Sequence, residues 1–291
     1  FKIWFQFMDM KKVNVGYIFY GGKLSQEEKL FLREAKKKNI NLILFNAGKK
    51  IEDEEIEERA RKCDIIFNNS AEEFAIELVK TFEELGKKVI DSSQAYYYTE
   101  DKWMFFVKCQ EHGIPTPKTN LLSQNLNVLK KELEEFNCWP VILKRIEGAC
   151  GDYVEKAKNY KEALRVIKKF REKGGRNLPI IAQELIKSPS YRVLVIDGKV
   201  VQTAIKRNKS WKATGVYGKK FRKFKIDEEL DGIIKKLTKA MKIRVCGIDL
   251  LKKNGKWVVL EVNSAPGLDF FKGERKMLIG KILDLLRKQV I

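Results

Sequence analysis

One histidine, His112, stands in a chain of 291 residues, and that scarcity removes whole classes of chemistry. Zinc sites built from several imidazoles need more than the chain has, and a nucleophilic relay that passes a proton through imidazole would have to run through His112. His112 itself closes a helical stretch before Gly113 and reads as a cation favoured by the helix dipole. Prolines number six and glycines 19, with no low-complexity linker or long repeat, so the structural units should be tightly joined. The five cysteines, Cys63, Cys109, Cys138, Cys150 and Cys246, are odd in number and form no short paired motif. That usage fits a reducing, cytoplasmic compartment. No apolar run approaches the roughly 18 residues that span a bilayer, so a soluble chain with no membrane partner is expected. Residues 1–11 are apolar but too short for a secretory signal. They are expected to be an added strand, a partner-binding arm or an expression remnant.

Negative charge is also short. Against 59 Lys and Arg stand 39 Asp and Glu, a formal net charge of +20, so the long-range field draws anions. ATP, an acidic acceptor and nucleic acid all qualify. Lys219-Lys220-Phe221-Arg222-Lys223-Phe224-Lys225 interleaves cations with aromatics, a pattern that can bind single strands. Nucleic acid is nevertheless the less favoured partner, because a lysine- and glutamate-rich surface runs through the whole chain.

With 44% hydrophobic residues the chain can build real cores. Val13 to Tyr20 reads as a buried strand, Ser25 to Lys38 as a helix with Ser25 and Glu28 at capping-box spacing, and Ile40 to Phe45 as the next strand. The alternation continues to Ile90 and predicts a small parallel α/β domain over residues 12–100. Its first turn, Gly21-Gly22-Lys23, lacks a full dinucleotide fingerprint. A helix from Asp101 to Glu111 and the stiff Ile114-Pro115-Thr116-Pro117 lead into a central unit, residues 101–186. There the strand from Pro140 to Lys144 runs into a small-residue loop, Glu147-Gly148-Ala149-Cys150-Gly151-Asp152. A lysine before such a loop suits phosphate, and a simple hairpin suits it equally well. A strand from Pro179 to Ile186, a hairpin at Tyr191 to Val200, a helix from Asp227 to Met241 and a closing helix from Gly280 to Gln289 complete the chain, the last unit spanning residues 187–291.

The densest chemistry lies between Gly247 and Asn263. Two β-branched, apolar flanks surround Asn254-Gly255, a strong hairpin signal. A two-residue loop would put Asp249 and Glu261 on opposite faces of the hairpin. A three-residue loop, Lys253-Asn254-Gly255 with Gly255 left-handed, puts Asp249, Val259, Glu261 and Asn263 on one face. The second register gathers two carboxylates and an amide oxygen, a set that suits magnesium. The plainer alternative is an amphipathic hairpin whose polar face meets water.

Taken in order, Asp101-Lys102, Gly113-Ile114-Pro115-Thr116-Pro117, Pro140 to Lys144, Glu147-Gly148, Gln183-Glu184-Leu185-Ile186, Gly247-Ile248-Asp249 and Glu261-Val262-Asn263-Ser264-Ala265-Pro266-Gly267-Leu268 resemble the ATP-grasp enzymes. Among these the RimK-type amino-acid ligases are most similar, over about residues 13 to 291. The resemblance implies an α/β and α+β architecture: a Rossmann-like preATP-grasp domain, a small central lid subdomain and a C-terminal α+β subdomain with a metal site. It implies ATP- and magnesium-dependent joining of a carboxylate to an amine through an acylphosphate, with glutamate as the first amino acid to consider. The acceptor would be an acidic small molecule or protein. By motif position Lys102, Lys144 and Gly148 would meet phosphates, and Glu184 and Leu185 would read adenine. Ser190 stands nearest the ribose position, where relatives carry an acid. Lys206, Arg207 and Arg192 would face the triphosphate or acyl oxyanion. Lys212 keeps a cation where relatives have Arg-x-Asn. Asp249, Glu261 and Asn263 would hold magnesium, or manganese, as two ions. Tyr153 stands where relatives commonly carry a second glycine. An ATP-grasp kinase, an inactive relative, or a nucleic-acid-binding module are the competing readings, and an oligomer is compatible with all of them.

Overall fold

The structure is a computed structural model, and it describes residues 11–148, 151–173, 178–206, 211 and 221–291. Residues 1–10, Arg207 and Lys212 lie outside the described residues, as do Ala149, Cys150, Lys219 and Lys220.

Three sheets follow one another along the chain. The first holds β1 (Val13–Phe19), β2 (Ile40–Asn46), β3 (Ile65–Asn68) and β4 (Val89–Ile90), parallel and in the order β2-β1-β3-β4. Its connections are α1 (Gln26–Lys37), α2 (Asp53–Arg61) and α3 (Glu73–Glu84). Ser25 caps α1 as its spacing requires: its hydroxyl accepts from Glu27 N at 3.0 Å while Glu28 accepts from Ser25 N at 2.6 Å.

After α4 (Ser93–Glu100) and α5 (Lys102–Glu111) comes an antiparallel sheet in the order β5-β8-β6-β7, from β5 (Thr119–Leu122), β6 (Val141–Arg145), β7 (Val154–Ala157) and β8 (Ile180–Glu184). Helices α6 (Leu126–Phe136) and α7 (Tyr160–Glu172) give it a core of its own, with Leu129, Leu133, Phe136, Leu143, Ile167 and Phe170 buried together. The third sheet is also antiparallel, β11-β10-β9-β12-β13, from β9 (Ser190–Ile196), β10 (Lys199–Lys206), β11 (Phe221–Arg222), β12 (Val245–Lys253) and β13 (Lys256–Asn263). Helix α8 (Glu228–Met241) packs beneath it.

The last helix, α9 (Arg275–Lys288), starts earlier than the glycine at 280 suggests. Its buried Leu278, Ile279, Ile282, Leu283 and Leu286 fall on one face at helical spacing, and that face docks on β1 and β9 at once. One hydrophobic core thus joins the first and third sheets, while the central sheet keeps a separate one.

Candidate functional site

A cavity of about 430 Å³ opens where the central sheet faces the third. Lys102, Lys144, Gly148, Glu184, Leu185, Arg192, Asp249, Glu261 and Asn263 all reach its wall. Those residues are separated by up to 161 positions in sequence (Lys102 to Asn263), so the fold does the gathering.

On the third sheet the hairpin reaches the expected face by an unexpected route. The turn is the two-residue kind, with Asn254 and Gly255 at φ of 52° and 82° and Lys253 paired with Lys256. The three-residue loop is therefore not formed. Pairing runs Leu250 with Val259 and then Asp249 with Glu261, so Leu260 is the extra residue of a β-bulge. The bulge changes the register by one residue, and Asp249 and Glu261 face each other across the hairpin, with Gly247 opposite Asn263.

Asp249 is buried, and both its oxygens are engaged. Arg192 donates to Oδ2 at 2.8 Å and Lys206 to Oδ1 at 2.8 Å, while Asn263 Nδ2 approaches Oδ2 at 3.3 Å. Burial by itself would raise this carboxyl, but Arg192 and Lys206 overcome it and hold the acid below the usual carboxylate range. Arg192 reaches Asp249 across paired strands, and Gly247 makes the passage: a Cβ there would lie 2.4 Å from the guanidinium. Lys206 is 1% exposed and lies behind the wall. Glu261 makes no ion pair within 4.0 Å to another described residue. Hard-oxygen donors on one face fit a magnesium ion by their chemistry: Glu261 is in side-chain hydrogen-bond contact with Asp249, so the two carboxylates share one site. Among the described residues there is no cluster of three His, Cys, Asp or Glu side chains that could hold a metal, so such a site would depend on Asn263 and on phosphate oxygens.

The central sheet contributes differently. Lys144, near the end of β6, is 7% exposed and has no ion-pair partner among the described residues. Burial pushes its ammonium down to about 8, only partly offset by the pull of Glu261. Lys102, at the start of α5, donates to Gly148 O at 2.7 Å and so ties that helix to the small-residue loop. Burial lowers its pKa as well, against Glu261 and Glu100. Gly148 has φ 130°, a region that favours glycine. Tyr153 takes a glycine-like φ of 51°, its ring facing Arg145 at 4.0 Å and Phe170 at 5.7 Å. Glu184 ends β8 with both oxygens on Lys253 Nζ at 2.7 Å, one of them also accepting from Lys118 N at 2.7 Å.

Ser190 does not reach the cavity. It is buried opposite Lys206 in the β9–β10 ladder, and Ser188 lines the wall instead. The basic stretch around β11 is also partly absorbed by packing. Phe224 meets Tyr191 at 5.3 Å and Trp257 at 5.8 Å, Phe221 meets Phe270 at 4.9 Å, and Lys223 pairs with Glu274. Those rings do not form an exposed stacking platform of the kind single strands use.

Four contributors escape a reading of the sequence. Glu100, raised by burial, accepts from Ser264 at 2.5 Å and anchors the loop after β13. Lys253 fixes Glu184, Gly247 admits Arg192, and Phe270 lines the cavity. Glu100 and Ser264 each adjoin a recognisable motif, but only the fold shows that they touch.

Three successive sheets, with a cavity between the second and the third, make up an ATP-grasp fold. Bacillus anthracis D-alanine–D-alanine ligase has this fold, with a TM-score of 0.72 at 18% identity over 96% of this chain and 97% of that one. Residues 99–286 match the RimK-like ATP-grasp domain, and the chain belongs to that family. Over 219 residues it is 29% identical to a probable alpha-L-glutamate ligase of Legionella pneumophila (strain Corby), covering 73% of this chain and 71% of the relative. A coenzyme gamma-F420-2:alpha-L-glutamate ligase of Methanocaldococcus jannaschii is 28% identical over 206 residues, 68% and 69% of the two chains. The protein is an ATP-dependent carboxylate–amine ligase. No helix among the described residues is long and apolar enough to cross a membrane.

Proposed function

We propose that this enzyme adds glutamate, through its amine, to a carboxylate on an acidic acceptor, a small molecule or a protein. The observation that carries the reading is the facing pair Asp249 and Glu261 on one wall of a cavity whose other wall presents Lys144 and Lys102. The relatives named as glutamate ligases support the choice of amino acid, and the +20 charge suits an acidic acceptor.

In the first step an acceptor carboxylate oxygen attacks the γ-phosphorus of ATP, the bond to the β–γ bridging oxygen breaks, and acylphosphate and ADP form. In the second the amine nitrogen attacks the acyl carbon, phosphate leaves, and the nitrogen sheds a proton as the amide forms. Lys102 and Lys144 neutralise phosphate oxygens, and the loop at Gly148 lies against them. The strand end at Glu184 and Leu185 holds the adenine edge, with Lys253 keeping Glu184 in place. Arg192 stands beside the acyl oxyanion, and Lys206 holds Asp249 ionised from behind. Asp249, Glu261 and Asn263 would hold magnesium, as one or two ions, or manganese. When bound, that metal neutralises the charge on the transferring phosphoryl group. No step calls for a protein nucleophile, in keeping with a single histidine.

Glu261→Gln tests the reading. Glutamate- and carboxylate-dependent ADP formation should fall on the order of 100-fold or more, as when a principal electrostatic contributor is lost. The stabilisation of the wild type that needs magnesium and ATP together should disappear with it. Wild-type turnover by the variant across several carboxylates would refute the metal assignment.

A further inference from the structure

Phe270 lies in the segment between β13 and α9 and has no part in the reaction as set out above. Its ring centre is 5.5 Å from Arg192 Cζ and 5.9 Å from Lys206 Nζ, the two cations that hold Asp249. Its neighbour on the far side is Phe221, edge-on at 4.9 Å and 90°. The ring is half-buried and lines the cavity. Its backbone is tied down along the same segment: Ser264 is bonded to Glu100, Leu268 is buried in the core shared by the first and third sheets, and Glu274 accepts from Gln202 at 2.9 Å. An apolar ring over two cations presents them with a face that offers water no hydrogen bond.

Water matters here because an acylphosphate has two fates. Attack by the amine gives amide and phosphate, whereas attack by water at the same acyl carbon returns the carboxylate and phosphate, wasting one ATP. We propose that Phe270 is a positioning residue that shields the acylphosphate from water, so that ATP consumption stays tied to amide formation. The proposal rests on the acylphosphate route above and deepens it.

The quantity to measure is phosphate released per hydroxamate formed, using the full chain, magnesium ATP, a synthetic peptide ending in glutamate as carboxylate and hydroxylamine as the attacking amine. Carboxylate-dependent ADP formation by the wild type reports on the ligase reading by itself, and the ratio reports on Phe270. Phe270→Ala should raise the ratio several-fold above the wild-type value, and the excess should shrink as hydroxylamine increases, because amine and water compete for one intermediate. Phe270→Leu, which keeps apolar bulk, should return the ratio towards wild type. Phe221→Ala, which removes only the edge-on support, should give a smaller rise and covers the case of an unstable Phe270→Ala. A ratio unchanged in Phe270→Ala and Phe221→Ala would overturn the proposal. So would an excess insensitive to amine, or a Phe270→Leu as uncoupled as the alanine variant.

Discussion

The two walls of the cavity handle buried charge in opposite ways. The third sheet buries Asp249 between Arg192 and Lys206, so cations and anion satisfy each other inside the protein. The central sheet buries Lys144 with no ion-pair partner among the described residues, and its pKa drops to about 8. Desolvation without a partner costs free energy, whereas desolvation within a pair is largely offset. A lone buried cation suits an anion that arrives from outside, the role proposed for Lys144, whereas the paired cluster needs no such partner. One core joins part of the third sheet to the first, while the central sheet with the lone lysine has a core of its own.

Methionine in place of each lysine would test that contrast most severely. Lys206→Met and Lys144→Met should each lower ADP formation roughly 100-fold, yet their melting temperatures should move in opposite directions. Losing Lys206 leaves a buried carboxylate with one partner fewer, a change that costs about 3 kcal/mol. Losing Lys144 removes an unpaired buried charge, and the apo protein should melt a few degrees higher, as expected for a gain of about 1 kcal/mol. Shifts in the same direction would mean that the two walls do not differ as described. By the same logic Asp249→Asn should lower stability as well as turnover, whereas Glu261→Gln, with no ion pair to lose, should spare the fold.

Gly247→Ala sharpens the comparison from the side of the paired cluster. The added methyl would lie 2.4 Å from Arg192 Nη2, while Nη1 of the same guanidinium is held by Asp249, so Arg192 must yield. A stability loss of about 1–3 kcal/mol is expected, with kcat/KM reduced and nucleotide binding nearly unchanged. Equal losses in kcat/KM and in nucleotide affinity would show that the paired cluster and the anion site are not separable.

The smallest effect expected is one of pH. Lys144 must be protonated to hold a phosphate, so MgATP affinity should be full below pH 8 and weaken several-fold by pH 9. In the unfolded chain an ordinary lysine keeps its proton to about 10.5, so between 8 and 10.5 the unfolded state binds more protons. Stability of the apo protein should then rise with pH across that window. Lys144→Arg, charged throughout, should flatten both trends; calorimetric titration from pH 7 to 9 reads the first, and thermal melting to pH 10 the second.

Much of this architecture is written in local signals. The Ser25–Glu28 box, the apolar strands, the Asn254-Gly255 turn and the lysine near the end of β6 each act through neighbours only a few residues away, and each is found where local chemistry puts it. The order of cations, small-residue loop and hairpin carboxylates also indicated the kind of chemistry. Tertiary structure decided the rest. Whether Asp249 meets Glu261 depended on one extra residue at Leu260, and a bulge is stabilised by the strand beside it and leaves no fixed mark in composition. That Arg192 and Lys206 converge on Asp249 through the gap at Gly247, that Ser190 turns away from the cavity, and that Phe270 lies over the cations are outcomes of strand order β11-β10-β9-β12-β13. Such contacts join residues tens of positions apart, and their energies exist only once the sheets have removed water from between them.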